Sequence, residues 1–404
     1  MVPEGWAHKS LYECLIGSSL RNKGNKLSHD DLRSVNKSLG MVNMKDQVKG
    51  ETVDRCKIVK KDWFAYNPMR LNVGSICRWK VEDDCLVSPD YVVFYCNEEL
   101  LLTEYFDQFR RSHKWNDFMV RAGNGSVRVR IYLKDLTPLK LVLPPLSEQK
   151  KIARILSTWD RAIEVTEKLL NNSQQQKKAL MQQLLTGKKR LPGFSREFKR
   201  FHFSDLLKID AESLGKKTPN DFEFDYISLS DVMAGRISSK LDRHKYENSP
   251  SRARRVLTEG DLLFATVRPN LQGFAKVSVA HADCIASTGF SVLTPKKNMC
   301  GDYVYHYLFS AHITGQINAL VVGTNYPAIN SSDVAGLSIY CPEYEEQKRI
   351  ADILNNCDSI ISSLQNKLNS LRQEKKALMQ QLLTGKRRVM VGEDELPQKE
   401  AARA

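Results

Sequence analysis

The sequence predicts a mixed α/β (α+β) protein built as an internal repeat. Two globular units are each followed by a long helix, and the two helices pair within one chain. Three observations carry this reading. The stretch KKALMQQLLTGK occurs at Lys177–Lys188 and again, 198 residues later, at Lys375–Lys386. The likeness extends upstream without a gap, since Gln149 to Leu156 returns as Gln347 to Leu354. Ahead of each copy, short β-branched and aromatic runs alternate with helical stretches.

The repeated stretch reads as a helix with a coiled-coil seam. Steps of four and three from Ile350 land on Leu354, Cys357, Ile361, Leu364, Leu368, Leu371, Lys375, Leu378 and Leu382, so only Cys357 and Lys375 break an aliphatic row. The first copy follows with Ile152, Leu156, Trp159, Ile163, Thr166, Leu170, Ser173, Lys177, Leu180 and Leu184, more polar in its middle. Pairing is expected through Ile152, Leu156, Ile163, Leu180 and Leu184 of the first helix. In the second it runs through Ile350, Leu354, Ile361, Leu378 and Leu382. Each helix starts just after a proline (Pro145, Pro342) and ends at Thr-Gly (Gly187, Gly385). Glu148, Glu345 and Glu346 fall in the first turns, where acid complements the helix dipole, and glycine suits the left-handed cap. A helix of about 38 residues is about 57 Å long at 1.5 Å per residue. The fixed offset favours pairing inside the chain, one chain imitating a two-fold dimer. The Lys177 and Lys375 interruptions would then keep other chains from joining the seam.

Composition narrows the classes. Sixty-one Lys and Arg against 47 Asp and Glu leave a charge of +14, which favours a polyanionic partner. Nine cysteines, an odd number with no Cys-x-x-Cys pair, read as reduced thiols of a cytoplasmic protein. There is no apolar leader and no run of 18 apolar residues, so neither secretion nor a membrane span is expected.

The expected order is a first unit at 1–146, a helix at 147–187, a second unit at 188–341, a helix at 342–387 and a polar tail at 388–404. In the first unit, the polar stretch from Arg21 to Gly50 reads as a long loop or irregular insertion. Ser75 to Val81 and Tyr91 to Cys96 read as strands, and Leu100 to Arg111 as a helix. Gly123 to Ile131 alternates basic and aliphatic residues, a pattern that buries valines and turns arginines to a partner. Leu139 to Pro144 reads as a buried strand. In the second unit Phe203 to Leu207 answers Leu11 to Leu15. Gly260-Asp261-Leu262-Leu263-Phe264-Ala265-Thr266-Val267-Arg268-Pro269-Asn270 is a turn, a buried strand and a basic loop. Ser287 to Leu293 answers Ser88 to Phe94, a helix is expected from Asp302 to Asn318, Gly323 to Asn330 answers Gly125 to Tyr132, and Asp333 answers Asp135. The constant spacing is read from about Gly125 to Arg190, with identity fading and lengths differing upstream.

Catalytic readings fail on spacing. Gly187-Lys188 lacks the partner glycine of a phosphate-binding loop. Asn67-Pro68-Met69 lacks the second proline and aromatic of the run typical of amino-methyltransferases. Glu148-Gln149-Lys150 and Glu346-Gln347-Lys348 fit half of a nuclease motif but sit at helix starts, where capping explains the glutamates. The eight histidines show no metal-binding spacing.

Two variable units, each ending in a strand, a proline, Glu-Gln-Lys and a helix closing Ala-Leu-Met-Gln-Gln-Leu-Leu-Thr-Gly-Lys, resemble the specificity subunit of bacterial type I restriction–modification systems. The duplicated helices, Gly260 to Phe264 with Arg268-Pro269, and Gly323-Thr324 with Pro327 carry the likeness. The first unit departs from it, with Arg78-Trp79-Lys80 standing where the second has Phe264 to Thr266 and no Arg-Pro match. The resemblance implies two target-recognition domains joined by an antiparallel coiled coil with pseudo-two-fold symmetry. Each domain would read one half of an asymmetric, split sequence in double-stranded DNA, with the helices as spacer. It also implies two modification subunits carrying S-adenosylmethionine and methylating adenine. Two restriction subunits would use ATP and Mg, while this chain binds no cofactor or metal itself and has no catalytic residue. The duplicated helices and their flanks would dock the partners.

For DNA contacts the candidates in the first unit are Lys80, Asn124, Arg128, Arg130 and Lys134. In the second they are Arg268, Asn270, Thr324, Asn325 and Tyr326. Arg and Asn make bidentate contacts to guanine and adenine, whereas Lys more often holds phosphate. Two rival classes stay in view, a DNA-binding adaptor without a methyltransferase and a stand-alone nuclease or methyltransferase.

Overall fold

The structure, a computed structural model, describes residues 2–37, 39–45, 52–122, 130–136, 139–233, 235–321 and 327–392. The chain divides into two compact units, residues 1–167 with 367–404, and residues 168–366. Both boundaries fall inside a long helix. Each unit therefore holds the first half of one long helix and the last half of the other.

The long helices are Leu146–Leu184 and Tyr344–Leu382, 39 residues each. Their apolar steps become contacts with the neighbouring domain as well as with each other. In unit 1, Ile152 and Leu156 are fully buried, Leu382 nearly so, and Ile163 and Leu378 are half-buried. All of these but Ile163 share one core with Trp6, Phe64, Phe94, Phe106 and Trp115. In unit 2, Ile350, Leu354 and Leu184 are buried beside Phe203, Phe264, Tyr303 and Tyr307, with Leu180 and Ile361 half-buried. Pairing is antiparallel in each unit. In unit 1 Asp160 faces Lys375 and Glu167 faces Arg372. In unit 2 Lys177 faces Asp358, and Arg190, beyond the end of the first helix, faces Glu346 at the start of the second. The lysines that interrupt each seam thus meet a carboxylate on the opposite helix at 2.6 Å.

Glycine ends both helices because the chain turns left-handed there, with φ of 69° at Gly187 and 72° at Gly385. At the helix starts the capping explanation for Glu-Gln-Lys is incomplete. Glu346 is fully buried and takes a two-pronged contact from Arg190, at 3.0 and 2.6 Å. Glu148 takes the equivalent contact from Arg388 and a hydrogen bond from the Trp6 indole. The glutamines bind both ways. The Gln149 amide donates to the carbonyls of Pro144 and Leu100 while its oxygen accepts the Leu102 N–H at 2.9 Å. The Gln347 amide donates to the Pro342 carbonyl and its oxygen accepts the Cys300 N–H, both at 3.0 Å. A neutral amide offers donor and acceptor together, which an ionised carboxylate, an acceptor only, would not.

Each unit carries two four-stranded sheets on the same plan. In unit 1 one sheet runs Leu15–Ser18, Val92–Cys96, Phe64–Tyr66, Ile76–Arg78, and the other Gly40–Asn43, Leu32–Asn36, Cys85–Val87, Lys57–Val59. In unit 2 the first runs Leu207–Ile209, Phe290–Pro295, Leu262–Ala265, Phe274–Lys276. The second runs Asp242–Lys245, Glu223–Ile227, Ile285–Ser287, Ala253–Val256. One parallel pair sits in each second sheet, Leu32–Asn36 with Cys85–Val87 and Glu223–Ile227 with Ile285–Ser287. A two-stranded ribbon ties each unit's first strand to the strand entering its helix, Ala7–Ser10 with Lys140–Leu143 and Lys199–His202 with Ser338–Cys341.

Four expectations are corrected by this structure. The stretch from Arg21 to Gly50 is not merely loop, because Leu32–Asn36 and Gly40–Asn43 form a hairpin whose backbone is satisfied by sheet pairing. The single helix expected from Asp302 to Asn318 is two, Gly301–Leu308 and Ala311–Leu320, since the Ser310 hydroxyl caps the second by accepting the Ile313 N–H. The helix expected over Leu100 to Arg111 is shorter, Thr103–Phe109, and a second one follows at His113–Ala122. Lastly, Arg78-Trp79-Lys80 does not stand where Phe264 to Thr266 does. Ile131 N–H donates to the Pro68 carbonyl and Ile329 N–H to the Thr266 carbonyl, both at 3.0 Å, so Pro68 is the counterpart of Thr266. The 198-residue spacing therefore runs back at least to the strand at Phe64, and Arg78 pairs with Phe64 as Lys276 pairs with Leu262.

Arg190→Ala strands the fully buried Glu346 carboxylate and should destabilise the protein by about 3 kcal/mol. Arg372→Ala, which breaks a solvent-exposed pair, should cost under about 0.5 kcal/mol. Urea denaturation of both variants checks the contrast. In the helix Thr103–Phe109, burial pushes the Asp107 carboxyl up, but Arg110, Arg111 and Lys80 together hold it below its ordinary value of 3.8. A carboxyl depressed in the folded state contributes stability that is complete above its unfolded value and is lost as pH falls through the folded one. Asp107→Asn should thus lower the melting temperature at pH 7, with the deficit narrowing below about pH 3.8.

Candidate nucleic-acid interface

In unit 2 the interface candidates rest on a buried strand. Gly260 adopts φ 88°, and Asp261, 2% exposed, accepts the Thr258 N–H and hydroxyl and the Thr294 hydroxyl. These contacts fix the turn into Leu262–Ala265, whose four residues are all buried. Thr266 then donates both its N–H and its hydroxyl to the Gly289 carbonyl. Past it, Arg268 is left-handed at φ 50° and its N–H reaches the Pro327 carbonyl at 2.7 Å. Pro269 is buried, Pro269–Leu271 forms one 3-10 turn, and Gln272 is left-handed again at φ 53°. The left-handed residues at both ends throw Arg268, Asn270 and Leu271 outward while the proline pins the loop. Non-glycine residues in that region carry strain, which the two flanking hydrogen-bonded strands hold in place.

Beside Arg268 lies a cavity of about 580 Å³, walled by Val232, Met233, Val267 and Leu271. Met233 is 76% and Leu271 66% exposed, an apolar pair next to a guanidinium. That combination suits a base edge, with the apolar pair against a thymine methyl and Arg against guanine. Thr324, Asn325 and Tyr326 lie outside the described residues.

In unit 1 the candidates have different surroundings. Arg130 is exposed and shares a cavity of about 300 Å³ with Lys57, Asn67, Met69, Asp90 and Tyr132. Lys134 is exposed on the 3-10 turn Leu133–Leu136, where Asp135 accepts the Tyr132 N–H just as Asp333 accepts that of Asn330. Lys80 is exposed too, but its ammonium lies 3.7 Å from Asp107 on the helix side. Asn124 and Arg128 lie outside the described residues. Sequence reasoning passed over Met69 and Arg70, both exposed at the end of the strand Phe64–Tyr66. The 198-residue offset from Val267 and Arg268 was the signal that could have found them.

A second surface is duplicated. In unit 1 a groove of about 420 Å³ is lined by Lys375, Lys376, Met379, Gln380, Leu383 and Thr384. In unit 2 a groove of about 790 Å³ is lined by Lys177, Lys178, Met181, Gln182, Leu185 and Thr186. These are the same six positions of the two copies. The facing wall includes Ser112 in one and Ser310 in the other, again equivalent.

Among the described residues, no group of three or more His, Cys, Asp or Glu side chains could hold a metal ion. The buried thiols of Cys14 and Cys284 are pushed up to about 11 by burial, so they are poor nucleophiles. His306 is fully buried and its pKa is lowered, chiefly by burial and then by Lys177, while Asn355 holds its ring. No helix among the described residues is long and apolar enough to cross a membrane.

Comparison with known proteins places this architecture. Residues 53–173 and 196–373 match the family described as type I restriction modification DNA specificity domain. The putative type I restriction enzyme MjaX specificity subunit of Methanocaldococcus jannaschii is 24% identical, over 96% of this chain and 95% of that one. The type I restriction enzyme MjaVIII specificity subunit of the same organism is 28% identical, over 62% of this chain and 63% of that one. The latter alignment thus spans a little under two thirds of either protein. Among solved structures, the type I restriction-modification S subunit from M. genitalium superposes with a TM-score of 0.63 at 12% identity, covering 94% of this chain and 96% of that chain. A chain from a type I R-M system solved for its assembly and conformational transition gives 0.54 at 17% identity, covering 95% of this chain and 99% of that chain. The last two likenesses show the shared fold. With the family match spanning both units and most of their length, the chain belongs to the type I restriction modification DNA specificity family.

Proposed function

We propose that this chain reads an asymmetric bipartite target in double-stranded DNA and directs adenine methylation and restriction by partner subunits. The observation that carries the reading is the pairing of one scaffold with two unlike surfaces. The helix starts, their glutamine and ion-pair ties and the lysine–aspartate pairs of the seam recur at equivalent positions in both units. In register, the loops past the equivalent strands read Met69-Arg70-Leu71-Asn72-Val73 in one and Val267-Arg268-Pro269-Asn270-Leu271 in the other. They share the arginine and the asparagine but differ in the residues around them and in backbone, only Arg268 being left-handed. Two unlike readers on one scaffold favour a target with unlike halves, and the net charge of +14 suits its phosphates.

The two equivalent grooves support two copies of one partner. Each offers two lysines, a methionine, a glutamine, a leucine and a threonine in the same order, so a modification subunit that fits one fits the other. Two modification subunits would bring S-adenosylmethionine. Two restriction subunits would bring ATP and Mg, with this chain holding no cofactor. The long helices, about 58 Å each at 1.5 Å per residue, act as the spacer between half-sites. Such a complex works in the cytoplasm, where the DNA is.

Arg268→Ala should weaken binding to the specific site by about 1–3 kcal/mol, measured by titration of the reconstituted complex on labelled duplex. An unchanged footprint and unchanged methylation would remove Arg268 from the interface. Copurification with the methyltransferase should show two of its subunits per chain by native mass spectrometry. A chain that binds DNA alone and recruits none is an adaptor, and one that modifies or cuts DNA unaided is an enzyme in its own right.

A further inference from the structure

We propose that Arg70 is a base-reading residue of the first unit, holding the place that Arg268 holds in the second. The inference rests on the DNA-recognition reading above and adds to it a residue that sequence likeness conceals.

The hairpin register and a backbone cross-link set the equivalence. The hairpin from Phe64–Tyr66 to Ile76–Arg78 pairs Phe64 with Arg78 and Tyr66 with Ile76, and that from Leu262–Ala265 to Phe274–Lys276 pairs Leu262 with Lys276 and Phe264 with Phe274. Both hairpins therefore enclose loops of equal length. The strands' far ends are tied by the same cross-link, Ile131 N–H to the Pro68 carbonyl and Ile329 N–H to the Thr266 carbonyl. Two residues past each acceptor stands an exposed arginine, Arg70 or Arg268. The residue after each arginine is buried, Leu71 fully and Pro269 nearly so, anchoring the loop beneath the guanidinium.

The surroundings of Arg70 favour a partner outside the chain. No ion pair engages it among the described residues, whereas Arg78, Arg110 and Arg111 of the same unit are all bound to carboxylates. Its neighbour Met69 is 48% exposed and borders the cavity that also holds Arg130. An exposed apolar side chain next to an exposed arginine repeats the arrangement of Leu271 and Met233 beside Arg268. A guanidinium so placed matches guanine, whose O6 and N7 accept its two parallel N–H groups. Because the two loops differ in backbone, with Arg268 left-handed and the Arg70 N–H closing a turn on the Asn67 carbonyl, the two arginines meet different base steps.

The test is methylation-sensitive sequencing of DNA exposed to the complex reconstituted with its methyltransferase partner, using wild type, Arg70→Ala, Arg70→Lys and Arg268→Ala. Thermal melting and native mass spectrometry confirm that each variant folds and assembles. Arg70→Ala is expected to lower discrimination by about tenfold or more at one base pair of one half-site, and Arg268→Ala to do so only in the other half. Arg70→Lys, which keeps the charge but loses the fork, should keep overall binding without restoring the base preference. Uniform weakening over all sequences, or an unchanged target, overturns the inference while leaving the functional reading intact. A wild-type complex with no sequence preference would overturn both.

Discussion

The structure depends on how the start of each long helix is tied. Gln149 and Gln347 are buried amides that bind backbone donors and acceptors at the edge of the preceding domain. One residue earlier, Glu148 and Glu346 are buried carboxylates clasped by Arg388 and Arg190 from beyond the end of the opposite helix. Burying a carboxylate costs several kcal/mol unless a well-placed cation compensates it. Each clasp is therefore stable only when the two helices lie antiparallel and in register. Removing either partner leaves a charge in a site built for a pair. The domain, the first half of one helix and the last half of the other are thereby held as one unit, in both halves of the chain.

That constraint separates what is kept from what is free to change. The core that receives the helices is aromatic in both units, with Phe64, Phe94, Phe106 and Trp115 in one and Phe264, Phe274, Tyr303 and Tyr307 in the other. The strands carrying the candidate reading loops leave that core and end at the surface. Side chains there, Met69 and Arg70 or Arg268, Asn270 and Leu271, carry little of the fold. Such an arrangement lets recognition vary without disturbing the seam. The lysines that interrupt the seam fit the same logic, since each is matched to an acid, Asp160 or Asp358, that sits at the equivalent place in the other copy.

The repeat, the helices and their seam were legible because identical residues recur and because a heptad pattern sustained over the length of each helix is a strong signal, whereas their antiparallel packing was implied by the family resemblance. The hairpin at Leu32–Asn36 and Gly40–Asn43 was not. Along Leu32–Asn36 only Leu32 and Val35 are buried, a spacing that breaks the alternation by which a strand is recognised. Ser310 reads as an ordinary polar position in a helix until its hydroxyl is seen capping the next one. Arg70 was hidden for a different reason. Phe64-Ala65-Tyr66 and Leu262-Leu263-Phe264 share a ladder position but no residues, so side-chain likeness hides a match that the 198-residue offset offers and the hydrogen-bond register establishes. The tertiary partners of Glu148 and Glu346 lie far away in sequence, and local capping rules could not anticipate them.

The central claim is that one chain presents two unlike readers on a duplicated scaffold. Mapping every methylated adenine left by the wild-type complex on a genome lacking that modification tests it most directly. The account predicts a single bipartite motif with two different half-sites separated by a fixed, unread gap. A contiguous motif, a palindrome with identical halves, or methylation without sequence preference would contradict it.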